Sequence, residues 1–168
     1  MERFINLGFC KKSMADGIKP LEILVIDDDS DIRKILERLL ITSGYGVTLA
    51  SSGNHGIQEY AKSVEKGEPF RLVFTDLIME DGTGIDVTRA IKSKNPDTAV
   101  YGMTGYEADK DHERLKAELE GVGPDGILQK PFSFPLIKGI AQQVALGQNH
   151  KQFAADYLAR QLQDKSQS

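Results

Sequence analysis

The sequence predicts an α/β fold, a doubly wound parallel sheet of five strands. Three observations point there. From Leu21 onward, short β-rich apolar runs closed by turn residues alternate with longer runs whose apolar residues recur at helical spacing. The first short run, Leu21 to Ile26, is apolar on both faces apart from Glu22, as suits a strand covered from both sides in a parallel sheet. The length of 168 residues, with 40% hydrophobic and 27% charged, suits one globular core with tails rather than two domains, a disordered chain or a fibrous repeat.

Five β-α units can be read in order. Strand one ends abruptly at Asp27-Asp28-Asp29, and Ile32, Ile35, Leu36, Leu39 and Leu40 then make one stripe of an amphipathic helix that Gly44 stops. Asp29 or Ser30 is the expected cap of that helix. Strand two is Gly46 to Ala50, with a helix from Ser52 to Lys66; strand three is Arg71 to Thr75, with a helix from Thr83 to Lys94 that Pro96 closes. Strand four is Ala99 to Met103, followed by a polar helix from Glu107 to Glu120. Strand five is Gly126 to Gln129, followed by a helix from Ser133 to Leu146. A last segment with Phe153, Ala154, Tyr157, Leu158 and Leu162 on one side adds a sixth helix, and these residues read as packing rather than a docking motif. The expected organisation is a flexible leader at 1–20, one domain at 21–147 and a helical extension at 148–168.

Charge and cysteine usage exclude several function classes. The net charge is −4, and residues 21–147 hold 14 basic against 21 acidic residues, so nothing favours binding to nucleic acid or an anionic membrane. No apolar run approaches the roughly 20 residues that span a bilayer. The single cysteine, Cys10, rules out an internal disulfide or a cysteine metal cluster and suits the cytoplasm. His55, His112 and His150 show no metal-ligand spacing and are expected at the surface. Gly82-Thr83-Gly84 lacks the rest of a phosphate-binding loop and is expected to be a flexible joint.

In a doubly wound sheet ligands bind at the carboxyl ends of the strands. The residues there are Asp27 and Asp28 after strand one, Asp76 after strand three, Thr104 after strand four and Lys130 after strand five. Three carboxylates so close repel: at 4 Å and an effective dielectric near 20, each pair costs about 4 kcal/mol. Lys130 supplies one positive charge, and oxygen ligands with room for water suit a hard divalent cation such as Mg²⁺. With a cation present a carboxylate can attack phosphorus while a lysine and a hydroxyl hold the phosphoryl oxygens. The set matches phosphoryl transfer to Asp76.

Four blocks carry a family resemblance: Ile23-Leu24-Val25-Ile26-Asp27-Asp28-Asp29, Phe74-Thr75-Asp76-Leu77-Ile78-Met79, Met103-Thr104-Gly105 and Lys130-Pro131-Phe132. In order and separation they resemble the signature blocks of response-regulator receiver domains, over residues 21 to 147. The resemblance implies a flavodoxin-like strand order 2-1-3-4-5, with the first and fifth helices on one face and the second to fourth on the other. It implies that Asp76 is the phospho-acceptor, that Asp28 binds Mg²⁺ directly and Asp27 through water, and that the backbone carbonyl of Ile78 completes the ligands. Thr104 would hydrogen-bond a phosphoryl oxygen, Lys130 would pair with the phosphate, and the Lys130-Pro131 bond would be cis. The implied partners are a sensor histidine kinase or histidine phosphotransfer protein upstream and a protein target downstream. Output through the surface of the 107–120 helix, strand five and the 133–146 helix is expected, and a homodimer stays open.

Two positions depart from the family pattern. Glu80 stands where proline is usual, which is expected to loosen the loop from Leu77 to Gly84. Ile127 stands where an aromatic residue is usual, which argues against an aromatic-switch readout. Ile78 and Tyr106, two beyond the acceptor and two beyond the threonine, are poor at positioning an attacking water, so a long-lived phosphoryl group is expected. The chain thus reads as a regulatory switch rather than a metabolic enzyme. Two alternatives stand beside it: a receiver-like binding module that works without phosphate, and a haloacid-dehalogenase-type phosphatase with Asp27 as nucleophile and Asp76 incidental.

Overall fold

The computed structural model describes residues 20–105 and 123–166. Residues 1–19 of the expected leader with Cys10, together with Tyr106, His112 and the helix expected at Glu107 to Glu120, lie outside the described residues. Five strands, β1 (Glu22–Ile26), β2 (Gly46–Ala50), β3 (Leu72–Asp76), β4 (Ala99–Thr104) and β5 (Gly126–Gln129), form one sheet. All neighbours are parallel and the order is β2-β1-β3-β4-β5. The helices are α1 (Ser30–Ile41), α2 (Gly53–Glu65), α3 (Gly84–Lys94), α4 (Phe134–Ala145) and α5 (His150–Ser166).

Alternation along each strand feeds two cores. Ile23, Val25, Leu72, Phe74, Tyr101 and Met103 point to the face covered by α1 through Leu36 and Leu40 and by α4 through Leu136, Ile137 and Ile140. Leu24, Ile26, Val73 and Val100 point to the other face, where α2 contributes Tyr60 and α3 contributes Val87 and Ile91. Each fully buried side chain of this size stabilises the fold by about 1.5 to 3 kcal/mol. Both faces being dry explains why the strands read as continuous apolar runs.

The helix starts follow the capping chemistry in the sequence. Asp29 caps α1, accepting from Asp31 N at 2.8 Å; Ser52 caps α2, accepting from His55 N at 3.2 Å; Thr83 caps α3, accepting from Asp86 N at 3.2 Å. Ser133, at the start of α4, makes no such bond. Its hydroxyl lies 2.6 Å from that of Tyr157 instead.

That contact belongs to the docking of α5 on its own domain. Phe153 and Tyr157 pack against the first core, Ala154 is buried, and the Phe153 ring lies so near Gly139 that a Cβ there would stand 2.1 Å from it. Leu158, expected on the packed side, is 39% exposed, and the Leu162 side chain lies outside the description. His150 corrects the expectation of a surface residue. It opens α5 half-buried, with Nδ1 2.8 Å from the Tyr101 hydroxyl, and burial lowers its basicity. Beside it, the buried carboxylate of Asp125 pairs with Lys151 at 2.6 Å and Lys92 at 2.7 Å and accepts from Val100 N at 2.8 Å. Burial pushes the Asp125 carboxyl up, but the two lysines and the amide outweigh it and hold it below the usual carboxylate range.

Candidate functional site

The strand register assembles the site. Ile26 pairs with Thr75, Asp76 with Met103, and Thr104 with Gln129, so Asp27, Asp76, Thr104 and Lys130 emerge together at the carboxyl edge of the sheet. One oxygen each from Asp27, Asp28 and Asp76 lies within 4.8 Å of the others.

Each carboxylate has a different setting. Asp27 is fully buried; its Oδ1 accepts from Asp29 N at 3.0 Å. Its Oδ2 lies 2.7 Å from Lys130 Nζ, an ion pair whose angles leave that oxygen without a well-formed hydrogen bond. Burial raises the Asp27 carboxyl above its ordinary value, against the pull of Lys130 and the Asp29 amide. Asp76 is buried but for its tip: Oδ1 accepts from Ile78 N at 2.9 Å and Oδ2 accepts from Lys130 Nζ at 2.5 Å. Asp28 is exposed and faces solvent.

Lys130 is the ammonium among them. Burial alone would lower its pKa, but the nearness of the Asp27 and Asp76 carboxylates reverses the sign, and Lys130 is raised. Its backbone N donates to Thr104 O at 2.7 Å, and the bond to Pro131 is cis. Thr104 is buried at the end of β4. The Asp27, Asp28, Asp76 and Lys130 side chains thus lie together, with Thr104 at the end of the neighbouring strand and the Ile78 backbone two residues after Asp76.

Arg33 was not singled out from the sequence. From α1 its Nη1 donates to Asp27 O at 2.6 Å and Asp28 O at 3.0 Å, which ties the acid-bearing turn to the helix that follows. The readable signal is an arginine six residues after the first acid, on the side of α1 that returns toward β1.

The loop after Asp76 is held more firmly than its sequence suggests. Leu77 N donates to Met103 O at 2.9 Å. A Cβ on Gly84 would stand 2.2 Å from Asp76 O, so Gly82-Thr83-Gly84 is the packed, capped start of α3 rather than a loose joint. Gly53 N donates to Asp81 O at 2.8 Å, and this tie to α2 replaces the restraint that Glu80 was expected to forfeit. Ile127 packs against Leu77 and Ile85.

Three carboxylates against one ammonium leave negative charge in excess. The donor set is all oxygen, one acid is open to solvent, and buried Asp27 Oδ2 lacks a well-formed bond, which together fit a hard divalent cation better than a soft one.

The description "response regulator receiver domain" belongs to the family model that matches residues 23–142. The response regulator receiver protein CpdR of Brucella abortus (strain 2308) is 32% identical over 110 residues, 66% of this chain and 84% of CpdR. A cyclic di-GMP phosphodiesterase of Thermotoga maritima is 30% identical over 118 residues, 70% of this chain but only 29% of its own length. Among solved structures, a response regulator receiver domain protein from Clostridium thermocellum superposes with a TM-score of 0.62 at 29% identity, over 74% of this chain and 93% of that one. The matched residues 23–142 hold β3, β4, β5 and nearly all of β1, with Asp27, Asp28, Asp76, Thr104 and Lys130 at the strand ends, and this chain belongs to the response regulator receiver domain family of two-component signalling.

Proposed function

We propose that the chain is a phosphorylation-dependent switch in which Asp76 accepts a phosphoryl group and the phosphorylated state changes protein contacts. The observation that carries this reading is the meeting of Asp27, Asp28 and Asp76 within 4.8 Å, with Lys130 Nζ 2.5 Å from the proposed acceptor. The donor is a phosphohistidine on a sensor histidine kinase or phosphotransfer protein, and the setting is the cytoplasm, which a single cysteine suits.

In the transfer, an Asp76 oxygen forms a bond to phosphorus as the N–P bond of the phosphohistidine breaks, and the imidazole leaves with the electron pair and takes up a proton. Lys130, paired with Asp76 beforehand, turns its charge to a phosphoryl oxygen, and the Thr104 hydroxyl holds another. Asp28, Asp76 and the Ile78 carbonyl would hold Mg²⁺ directly and Asp27 through water, and the charge such an ion supplies would neutralise the phosphoryl oxygens. The role is regulatory: one phosphoryl group shifts a conformational population and no metabolite is made.

The test is intact-mass spectrometry after incubation with a small phosphodonor, with and without Mg²⁺, on the wild-type chain and on Asp76→Asn. The expected result is a Mg²⁺-dependent gain of one phosphoryl mass, absent from the variant. No gain in either protein, with circular dichroism showing both folded, would overturn the reading in favour of a module that works without phosphate.

A further inference from the structure

The loop that carries Ile78 is gripped at two ends by different elements. On one side Ile78 N donates to Asp76 Oδ1 at 2.9 Å. On the other, the first turn of α2 closes on Asp81 and Gly82. Gly53 N donates to Asp81 O at 2.8 Å, Asn54 Nδ2 donates to Asp81 Oδ1, and a Cβ on Gly53 would stand 2.2 Å from Gly82 O. Gly82 has a φ of 80°, which glycine alone adopts without penalty.

Each part of this grip has a physical reason. The first turn of α2 contains no acidic residue, and Asp81 brings a carboxylate to the end of the helix where free N–H groups and the dipole favour negative charge. Glu80, unlike a proline, leaves its own φ free, so restraint of the loop falls to these contacts. The Asn54 and Asp81 side chains are both at the surface, and the core does not depend on them.

We infer that Asn54 is a positioning residue: through Asp81 it fixes the loop whose Ile78 carbonyl completes the proposed cation site, so cation affinity depends on a side chain outside the acidic cluster. The inference rests on the assignment of Ile78 and the three acids to Mg²⁺.

Calorimetric titration with Mg²⁺ alone tests it, on wild type, Asn54→Ala, Asp81→Ala, Asp81→Asn and the Asn54→Ala/Asp81→Ala double variant, alongside thermal melts in chelator. Residues that orient metal ligands typically change affinity by 10- to 100-fold, and an exposed contact belongs at the low end, so Asn54→Ala and Asp81→Ala each weaken binding about 10-fold. The double variant is no weaker than either single one, because both remove the same contact. Asp81→Asn keeps an acceptor for Asn54 and stays close to wild type in affinity, and the chelator melts of the variants fall within a few degrees of wild type, in an order that does not follow the affinities. Wild-type affinity in Asn54→Ala, additive losses in the double variant, an Asp81→Asn variant as weak as Asp81→Ala, or a loss that tracks a lowered melt would overturn the inference. Absence of Mg²⁺ binding by wild type itself would instead overturn the cation site, and the inference with it.

Discussion

The Tyr101 hydroxyl meets His150 Nδ1 at 2.8 Å and also lies 3.1 Å from the His150 carbonyl oxygen. Tyr101 lies on β4, whose last residue is Thr104. His150 opens α5, so the terminal helix is fastened directly to the strand that ends in the candidate site. Stability should therefore depend on the charge of one imidazole. Burial lowers the His150 pKa from its ordinary value of 6.5, so the folded state prefers the neutral ring and the unfolded chain binds more protons as pH falls. The contribution is complete above about pH 6.5 and is lost as pH drops through that value toward the lowered folded one. Asp125 acts in a lower window, since its depressed pKa contributes stability above 3.8 that is lost as pH falls through the folded value. Thermal melts between pH 5 and 8 on wild type and His150→Gln check the first window, with a steeper loss toward pH 5 expected in wild type. Parallel curves would show that the imidazole does not report on the folded state.

Asp125→Ala removes a carboxylate that is 4% exposed and serves Lys92, Lys151 and Val100 N at once. Lys92 is 14% exposed and loses its only carboxylate among the described contacts, so the expected cost is about 2 to 3 kcal/mol. Lys151→Ala should cost under about 1 kcal/mol, because that lysine is 61% exposed and water replaces its partner. Urea unfolding with an unchanged slope measures both. Equal losses in the two variants would mean that the helix contact, rather than burial of the charge, sets the energy.

What could be read ahead of the structure followed from periodicity and from strand ends. Strands buried on both faces, such as Leu24-Val25-Ile26, and caps such as Asp29, Ser52 and Thr83 are local signals. The same locality placed Asp27, Asp28, Asp76, Thr104 and Lys130 at strand ends, and the parallel register then brought them together. Contacts between segments far apart in sequence were not legible. Arg33 on the carbonyls of Asp27 and Asp28 and His150 on Tyr101 depend on how helices return to the sheet. Gly53 against Gly82 depends on a backbone approach that leaves no mark except two glycines. Leu158 failed for a related reason: helical spacing puts it beside Tyr157, but α5 meets the domain along a strip too narrow to reach it, and it is 39% exposed.

Gly84→Ala tests how tightly the acceptor is held from behind. At the start of a helix alanine is ordinarily better than glycine by up to about 1 kcal/mol. Here its Cβ would stand 2.2 Å from Asp76 O and 2.8 Å from Leu77 Cα, both backbone atoms that cannot turn aside. Overpacking of this kind costs about 1 to 3 kcal/mol, which outweighs the propensity gain. The variant should melt lower and take up phosphoryl label more slowly, since the acceptor's own backbone must move. A variant that is more stable than wild type and labels at the wild-type rate would show that the loop yields without disturbing Asp76.

The lifetime of the phosphoryl group should be long, and Ile78 is the reason within reach of a test. Hydrolysis of an acyl phosphate needs a water placed in line with the P–O bond, and a side chain that hydrogen-bonds this water speeds the attack. Ile78 follows the acceptor by two residues and is 57% exposed, and its apolar side chain offers an attacking water no acceptor. Its exposure also means that substitution costs the core little. Ile78→Asn should therefore shorten the lifetime several-fold while leaving thermal stability close to wild type, whereas Ile78→Val should change neither. Intact mass followed over time after removal of the phosphodonor reads the decay directly. Loss of the label from wild type within seconds would defeat the expectation, and identical decay in wild type and Ile78→Asn would place control of the attacking water elsewhere.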